Sequence, residues 1–330
     1  MTQLNQRRNI LKIRSKHITQ ARFYEVKGEV LWKENSKMKI LNIHNHSDYS
    51  VFDGISKIKD YAKHISENKD KFHQALSMSE HGTLHGLFET YRQAKKFNLK
   101  FIPSCEFYVA REPDIDSYNP HILLFGLNKD GYDELIEINN RAIKNGNLFG
   151  KRRKKVFLSL SQLKSLKHLY VSGACIGGYW NSRIINNDFP SAKERFEELF
   201  LPLKERLLIE LQTFRGDEQK RVNEVNMYLS EQYGTDMIIT SDSHVINKED
   251  CEFLNPTRAV SMGMSLNQYL KIYGKEETHN TYFKDDDDFR NEIGKAGISL
   301  DVYKKAVKNL DNLYSKIEDF NLEKEQEFNL

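Results

Sequence analysis

Lys39-Ile-Leu-Asn-Ile-His-Asn-His46 joins a short apolar run to two histidines one residue apart. A brief apolar run bounded by polar residues reads as a buried strand. If the chain kinks at His44 and leaves the strand alternation, both imidazoles can meet one metal ion. Almost two hundred residues later, Met237-Ile-Ile-Thr-Ser-Asp-Ser-His244 repeats the arrangement, with Asp242 and His244 as the polar pair. Two surface histidines in a loop would explain the first block alone. They do not explain its repetition after a second apolar strand.

Working outward, the same grammar recurs. Gln74 to Met78 is a strand ending at Glu80-His81, and Leu99 to Ile102 leads into Ser104-Cys105-Glu106. His121 opens the apolar run to Phe125, and His168 to Val171 ends at the glycine-rich turn around Cys175. Leu207 to Leu211 is a further strand. Helical spacing separates these runs at Ile55–Glu67, Leu84–Phe97, Tyr132–Lys144, Gln219–Tyr233 and Asp301–Ile317. Strand–helix alternation predicts an α/β fold with a mainly parallel sheet, and about seven repeats favour a barrel over an open sheet. Active sites of such barrels lie at the C-terminal ends of strands. The candidate donors His44, His46, Asp53, His81, Glu106, His121, Cys175, Asp242 and His244 fall mostly there.

Imidazole, carboxylate and thiolate are the ligands of Zn, Mn and Fe. Nine such groups exceed what one tetrahedral ion needs, so they point to a multinuclear cluster, whose commonest chemistry is phosphoester hydrolysis. Glu106 could bridge two ions through its two oxygens, or be an exposed loop acid. His121 and Cys175, taken singly, read as core residues. His85, four residues after His81 on an expected helix start, has a spacing compatible with a shared metal or with an edge or surface position. His17, His64, His73, His168 and His279 have no ligand-like surroundings. No serine-hydrolase elbow and no phosphate-binding glycine loop is present.

The bulk numbers agree with this class. The chain has 330 residues, enough for one large α/β domain with an appendage. No stretch approaches the roughly 18 apolar residues of a membrane span. No apolar signal segment opens the chain, and three cysteines make no disulfide framework, so a reducing cytoplasm is expected. Net charge is only +3 but uneven. Residues 1–38 form a basic extension, with a possible hairpin around Gly28, and Lys151-Arg-Arg-Lys-Lys155 is a second basic run. Either could meet a phosphate backbone or be solvated surface. Tyr49, Tyr179 and Trp180 are candidates for base stacking, with core packing equally open for Trp180. The acidic run Asp285 to Asp288 reads as a surface loop.

Taken in order, Ile43–Gly54, Ala75–Leu84, Ile102–Val109, His121–Phe125, Val171–Gly178 and Ile239–His244 resemble the PHP (polymerase and histidinol phosphatase) domain. The version at the start of bacterial DNA polymerase III alpha subunits is the nearest in wording, and the likeness runs from about residue 40 to about 315. The resemblance implies a distorted seven-stranded (β/α)7 barrel over residues 39–277, with 278–330 as a helical tail. It also implies up to three divalent ions. One would be held by His44, His46, Glu106 and Asp242, a second by Glu106, His121 and Cys175, and a third by Asp53, His81 and His244. The family usually has Asp where this chain has Glu80, which is expected to orient an imidazole or the attacking water as part of the catalytic apparatus. No polymerase catalytic core is expected within these 330 residues. The expected activity is metal-dependent phosphoester hydrolysis of nucleic acid, a 3′→5′ exonuclease linked to replication. Its expected partners are single-stranded DNA or 3′ ends and a separately encoded polymerase, with no membrane. The rival expectations are a small-molecule phosphomonoesterase and a non-catalytic module docked on a polymerase.

Overall fold

A computed structural model describes residues 37–110, 120–149, 155–213, 216–274 and 280–322. Its strands are β1 Ala75–Met78, β2 Lys100–Ala110, β3 His121–Phe125, β4 Leu148–Phe149, β5 Lys155–Ser159, β6 Tyr170–Ser172, β7 Leu207–Leu211 and β8 Met237–Ile239. Its α-helices are α1 Ile58–Glu67, α2 Leu87–Lys96, α3 Lys129–Lys144, α4 Leu160–Lys164, α5 Asn181–Ile185 and α6 Phe189–Leu203. They continue with α7 Gly216–Tyr233, α8 Leu254–Met262, α9 Leu266–Tyr273, α10 Asp286–Glu292 and α11 Leu300–Ser315.

The strands form one curled sheet in the order β4-β5-β2-β3-β6-β7-β8, with β1 on β2. β1, β3 and β7 are buried at every position, which is why their sequences are unbroken apolar runs rather than alternations. Helices such as α1 and α11 pack against the sheet through one apolar stripe each. In α1 the buried residues are Ile58, Tyr61, Ala62 and Ile65, the spacing of a single helical face. Asn128 caps α3 by accepting from the Gly131 N–H at 3.0 Å. Among the described residues no helix is long and apolar enough to cross a membrane.

Strand direction differs from the expected parallel arrangement. β1–β2, β2–β5, β6–β7 and β7–β8 are parallel, but β3 runs antiparallel to both β2 and β6, and β4 antiparallel to β5. This reversal puts the first residue of β3, His121, at the same end of the sheet as the last residues of its neighbours. Hydrophobic pattern reports burial and is blind to direction, so it could not reveal this.

The expected first strand, Lys39–Ile43, is an extended segment making isolated bridges. On one side Ile40 N–H donates to Lys71 O at 2.9 Å and Ser79 N–H to Asn45 O at 2.7 Å. On the other, His46 N–H donates to Ser243 O at 2.7 Å and Ser243 N–H to His44 O at 3.3 Å. The segment therefore lies between the β1 side and the chain beyond β8. The acidic run is also not a surface loop. Asp285 caps α10 in a reciprocal capping box with Asp288, and Asp286 is buried against Tyr303 and Arg290. The basic extension up to Ser36, Gly28, His17, His279 and Lys151 to Lys154 lie outside the described residues.

Candidate metal centre

His44 and His46 leave the 40–46 segment with both side chains buried. Asp242 lies just past β8 with φ 45°, a left-handed backbone that aspartate tolerates better than most residues. That conformation brings its carboxylate Oδ1 to 3.3 Å from His44 Nε2 and 3.1 Å from His46 Nε2. Glu106 sits inside β2, not after it, because the chain at Glu80–Gly82 continues the β1 pairing alongside it. Its carboxylate reaches His44 Nε2 at 3.5 Å and His121 Nε2 at 3.1 Å, and also meets His81 Nδ1. His121 Nε2 lies 3.0 Å from Cys175 Sγ. Asp53 Oδ2 is 2.8 Å from His81 Nε2 and 3.4 Å from His244 Nε2. All nine donors singled out from the sequence thus stand in one continuous cluster.

Within it, three groups have donor atoms lying within 4.8 Å of one another: His44, His46 and Asp242; Glu106, His121 and Cys175; and His46, His81 and His244. The last group differs from the expected third set by offering His46 where Asp53 was named. His85 is exposed in the turn before α2 and joins none of them.

Several of these donor atoms are buried without a hydrogen-bond partner: His44 Nε2, His46 Nε2, both ring nitrogens of His81, both oxygens of Glu106 and Asp242 Oδ1. Each such atom costs about 1–3 kcal/mol when left unpaired. Their close approaches to one another, at 3.1 and 3.3 Å from Asp242 to His46 and His44 and 3.5 Å from Glu106 to His44, are not hydrogen bonds. Borderline and soft donors in this number and disposition fit divalent Zn, Mn or Fe.

The other ring nitrogens are spoken for, which fixes the tautomers. A carboxylate or carbonyl oxygen only accepts, so His44 Nδ1–H donates to Glu210 Oε1 at 2.6 Å and His244 Nδ1–H to Asp242 O at 2.9 Å. His46 Nδ1 meets Ser50 Oγ at 3.3 Å, and that hydroxyl gives its proton to Glu80. In all three rings Nε2 is the nitrogen left to ligate metal, through its lone pair once any proton there is displaced. Burial and the neighbouring imidazoles of His81 and His244 push the His46 pKa down to about 3, which keeps that lone pair available. Burial also opposes charge on His81 and His44, but carboxylates outweigh it. Glu106 and Asp53 raise His81 to about 9, while Glu210, Asp242 and Glu106 hold His44 well above the usual histidine value. Burial alone would raise Glu106, yet His121 and His81 keep it well below the ordinary carboxylate range.

Glu80 is turned away from the donors. Its carboxylate accepts from Ser47 Oγ at 2.5 Å, from Ser50 Oγ and from the Ser47 N–H at 3.2 Å. It braces the turn that carries His46 and, through Ser50, the His46 ring. Glu80→Asp, one methylene shorter, should weaken this brace and leave hydrolysis active, with a rate change of about tenfold or less and a shifted preference between Mn and Zn. Complete inactivity of a folded Glu80→Asp protein would place the carboxylate among the reacting atoms instead.

Sequence reading missed Glu210, Ser50 and Arg258. Glu210 is fully buried in β7, where it accepts from Ser172 Oγ at 2.5 Å, Gln212 Nε2 at 2.8 Å and Thr240. A lone carboxylate inside Leu207-Leu-Ile-Glu-Leu211 was the available signal. Arg258 on α8 donates from Nε to Asp53 Oδ1 at 2.9 Å, and nothing local marks it. Two of the three suggested stacking residues are not available. Trp180 is buried, donating to Asn226 Oδ1 at 3.0 Å, and Tyr179 is buried with its hydroxyl on Glu198 at 2.9 Å. Tyr49 remains 38% exposed.

A family model described as the PHP domain matches residues 42–214. The DNA polymerase III subunit alpha of Thermus aquaticus is 30% identical over 223 residues, covering 65% of this chain and 18% of that protein. The subunit from Borreliella burgdorferi is 28% identical over 258 residues, covering 75% and 21%. That from Helicobacter pylori strain 26695 is 26% identical over 269 residues, covering 76% and 21%. The chain spans about a fifth of the length of these relatives.

Proposed function

The chain belongs to the PHP domain family, and from that premise we propose that it is a metal-dependent phosphoesterase acting on DNA, a 3′→5′ exonuclease in replication. The observation that carries this reading is the convergence of buried, unpartnered donor atoms from His44, His46, His81, Glu106 and Asp242. His44, His46, Glu106 and Asp242 would hold one ion, Glu106, His121 and Cys175 a second, and Asp53, His81 and His244 a third. Bound there, divalent ions lower the pKa of water at neutral pH and neutralise charge developing on phosphate oxygens. The protein's part is positional. Glu210 holds the His44 ring by its Nδ1–H, Ser50 holds His46, and the Asp242 carbonyl holds His244. These contacts fix which nitrogen faces the ion, an arrangement whose loss typically costs about 10–100-fold in activity or affinity.

We read the fold as a closed ring of seven members over residues 39–277: the 40–46 segment, β1, β2, β3, β6, β7 and β8. The hydrogen bonds of residues 40–46 to both sides support it. Residues 278–330 would be its helical tail and 1–38 a basic extension. The relatives are DNA polymerase subunits, which supports DNA as substrate and a separately encoded polymerase as partner.

The test is a Mn- or Zn-supplemented digest of end-labelled single- and double-stranded DNA beside a generic phosphomonoester. DNA turnover should fall steeply with salt, because each neutralised phosphate releases counterions, and the small ester should be far less sensitive. Neutralising Lys151 to Lys155, or deleting residues 1–36, should weaken DNA turnover alone. Equal responses of both substrates would contradict the nuclease reading and favour a small-molecule phosphatase.

A further inference from the structure

We propose that Arg258 supplies, beside Asp53, the positive charge that a third divalent ion would otherwise bring, so that this cluster holds two ions firmly and a third only loosely. The inference rests on the metal reading above and concerns the balance of charge within it. Arg258 lies on the inward stripe of α8 with Leu254, Asn255 and Ala259. Its Nε is 2.9 Å from Asp53 Oδ1, and the pair is partly shielded, with side-chain exposures of 11% and 30%. Asp53 Oδ2 already faces His81 Nε2 at 2.8 Å and His244 Nε2 at 3.4 Å. Glu106 and Asp242, the carboxylates of the other two positions, make ion pairs only with histidines among the described residues.

The asymmetry has a direct electrostatic consequence. A guanidinium cannot be deprotonated at any accessible pH, so its charge is permanent. A divalent ion at Asp53 must share the carboxylate with that charge, in a site shielded enough for like-charge repulsion to count. Glu106 and Asp242 have no guanidinium or ammonium paired with them among the described residues.

The test loads the full chain with Mn, desalts it, counts ions per chain, and measures the affinity of the loosest ion by chelator competition. Wild type is compared with Arg258→Met and Arg258→Lys. Arg258→Met should bind its loosest ion roughly tenfold or more tightly and retain more metal than wild type. Arg258→Lys keeps the charge and should behave as wild type, which a purely packing role would not produce. Arg258→Gln carries the same expectation if the Met variant does not fold. Metal bound to wild type but unchanged or reduced in the Met and Gln variants overturns this inference alone, as does a Lys variant that behaves like Met. A wild type that takes up no ion overturns the metal reading and this inference with it.

Discussion

Replacing His46 or Asp242 with alanine is expected to reduce phosphoester hydrolysis by about a thousandfold or more, well beyond the roughly 10–100-fold that loss of a supporting contact costs. His46 is shared by two of the three donor groups, and Asp242 Oδ1 faces both His44 and His46 at 3.3 and 3.1 Å. Removing either takes away a proposed ligand and also leaves its partners as buried unpaired groups. His85→Ala should keep substantial activity, because that side chain is exposed and joins no donor group. Turnover of DNA and of a phosphomonoester by the three variants, each checked for folding, decides the matter. Equal losses in His85→Ala and His46→Ala would mean that the boundary of the site is drawn wrongly.

The second large effect is on stability. Gly178 ends the turn that carries Cys175, and a Cβ there would stand 1.8 Å from Gly173 O and 2.9 Å from Cys175 O. Both obstacles are backbone, so no side-chain rotation relieves them. Gly178→Ala should therefore cost about 4 kcal/mol or more, in the range kept for severe steric conflict in a packed region. At this chain length that corresponds to a fall in Tm of about 6 °C or more. Gly294→Ala, where a Cβ meets nothing within 4 Å, serves as the neutral comparison. Thermal unfolding that finds the two variants alike would show that the Gly173–Gly178 turn is not packed as described, and the placement of Cys175 would fall with it.

Much of this arrangement was legible because it is local. Apolar runs at Ala75–Met78, His121–Phe125 and Met237–Ile239 are buried strands with residues of sharp chemistry at their ends, and both facts lie within a few positions of each other. Strand direction was not legible. β3 reverses between β2 and β6, and its pattern of burial would be the same either way. The supporting contacts were hidden for another reason. Glu210 meets His44 across 166 residues and Arg258 meets Asp53 across 205. Such pairs form only when the sheet curls, and neither partner's neighbours in sequence announce them. Glu80 shows the intermediate case. Its position beside His81 marked it as part of the site, but only the folded chain brings Ser47 and Ser50 round to it. For Trp180 stacking and core packing stayed open in the sequence, because an aromatic in a glycine-rich turn looks the same whether it faces solvent or, as here, Phe196.

Metal content tests the central claim most directly. Unpartnered buried nitrogen and oxygen atoms gathered in one cluster are what bound cations would satisfy. Elemental analysis of the purified full chain should find between one and three Zn, Mn or Fe ions per chain, restored by Mn or Zn after chelation. Protein that carries none, and takes up none when either metal is added, would contradict the account.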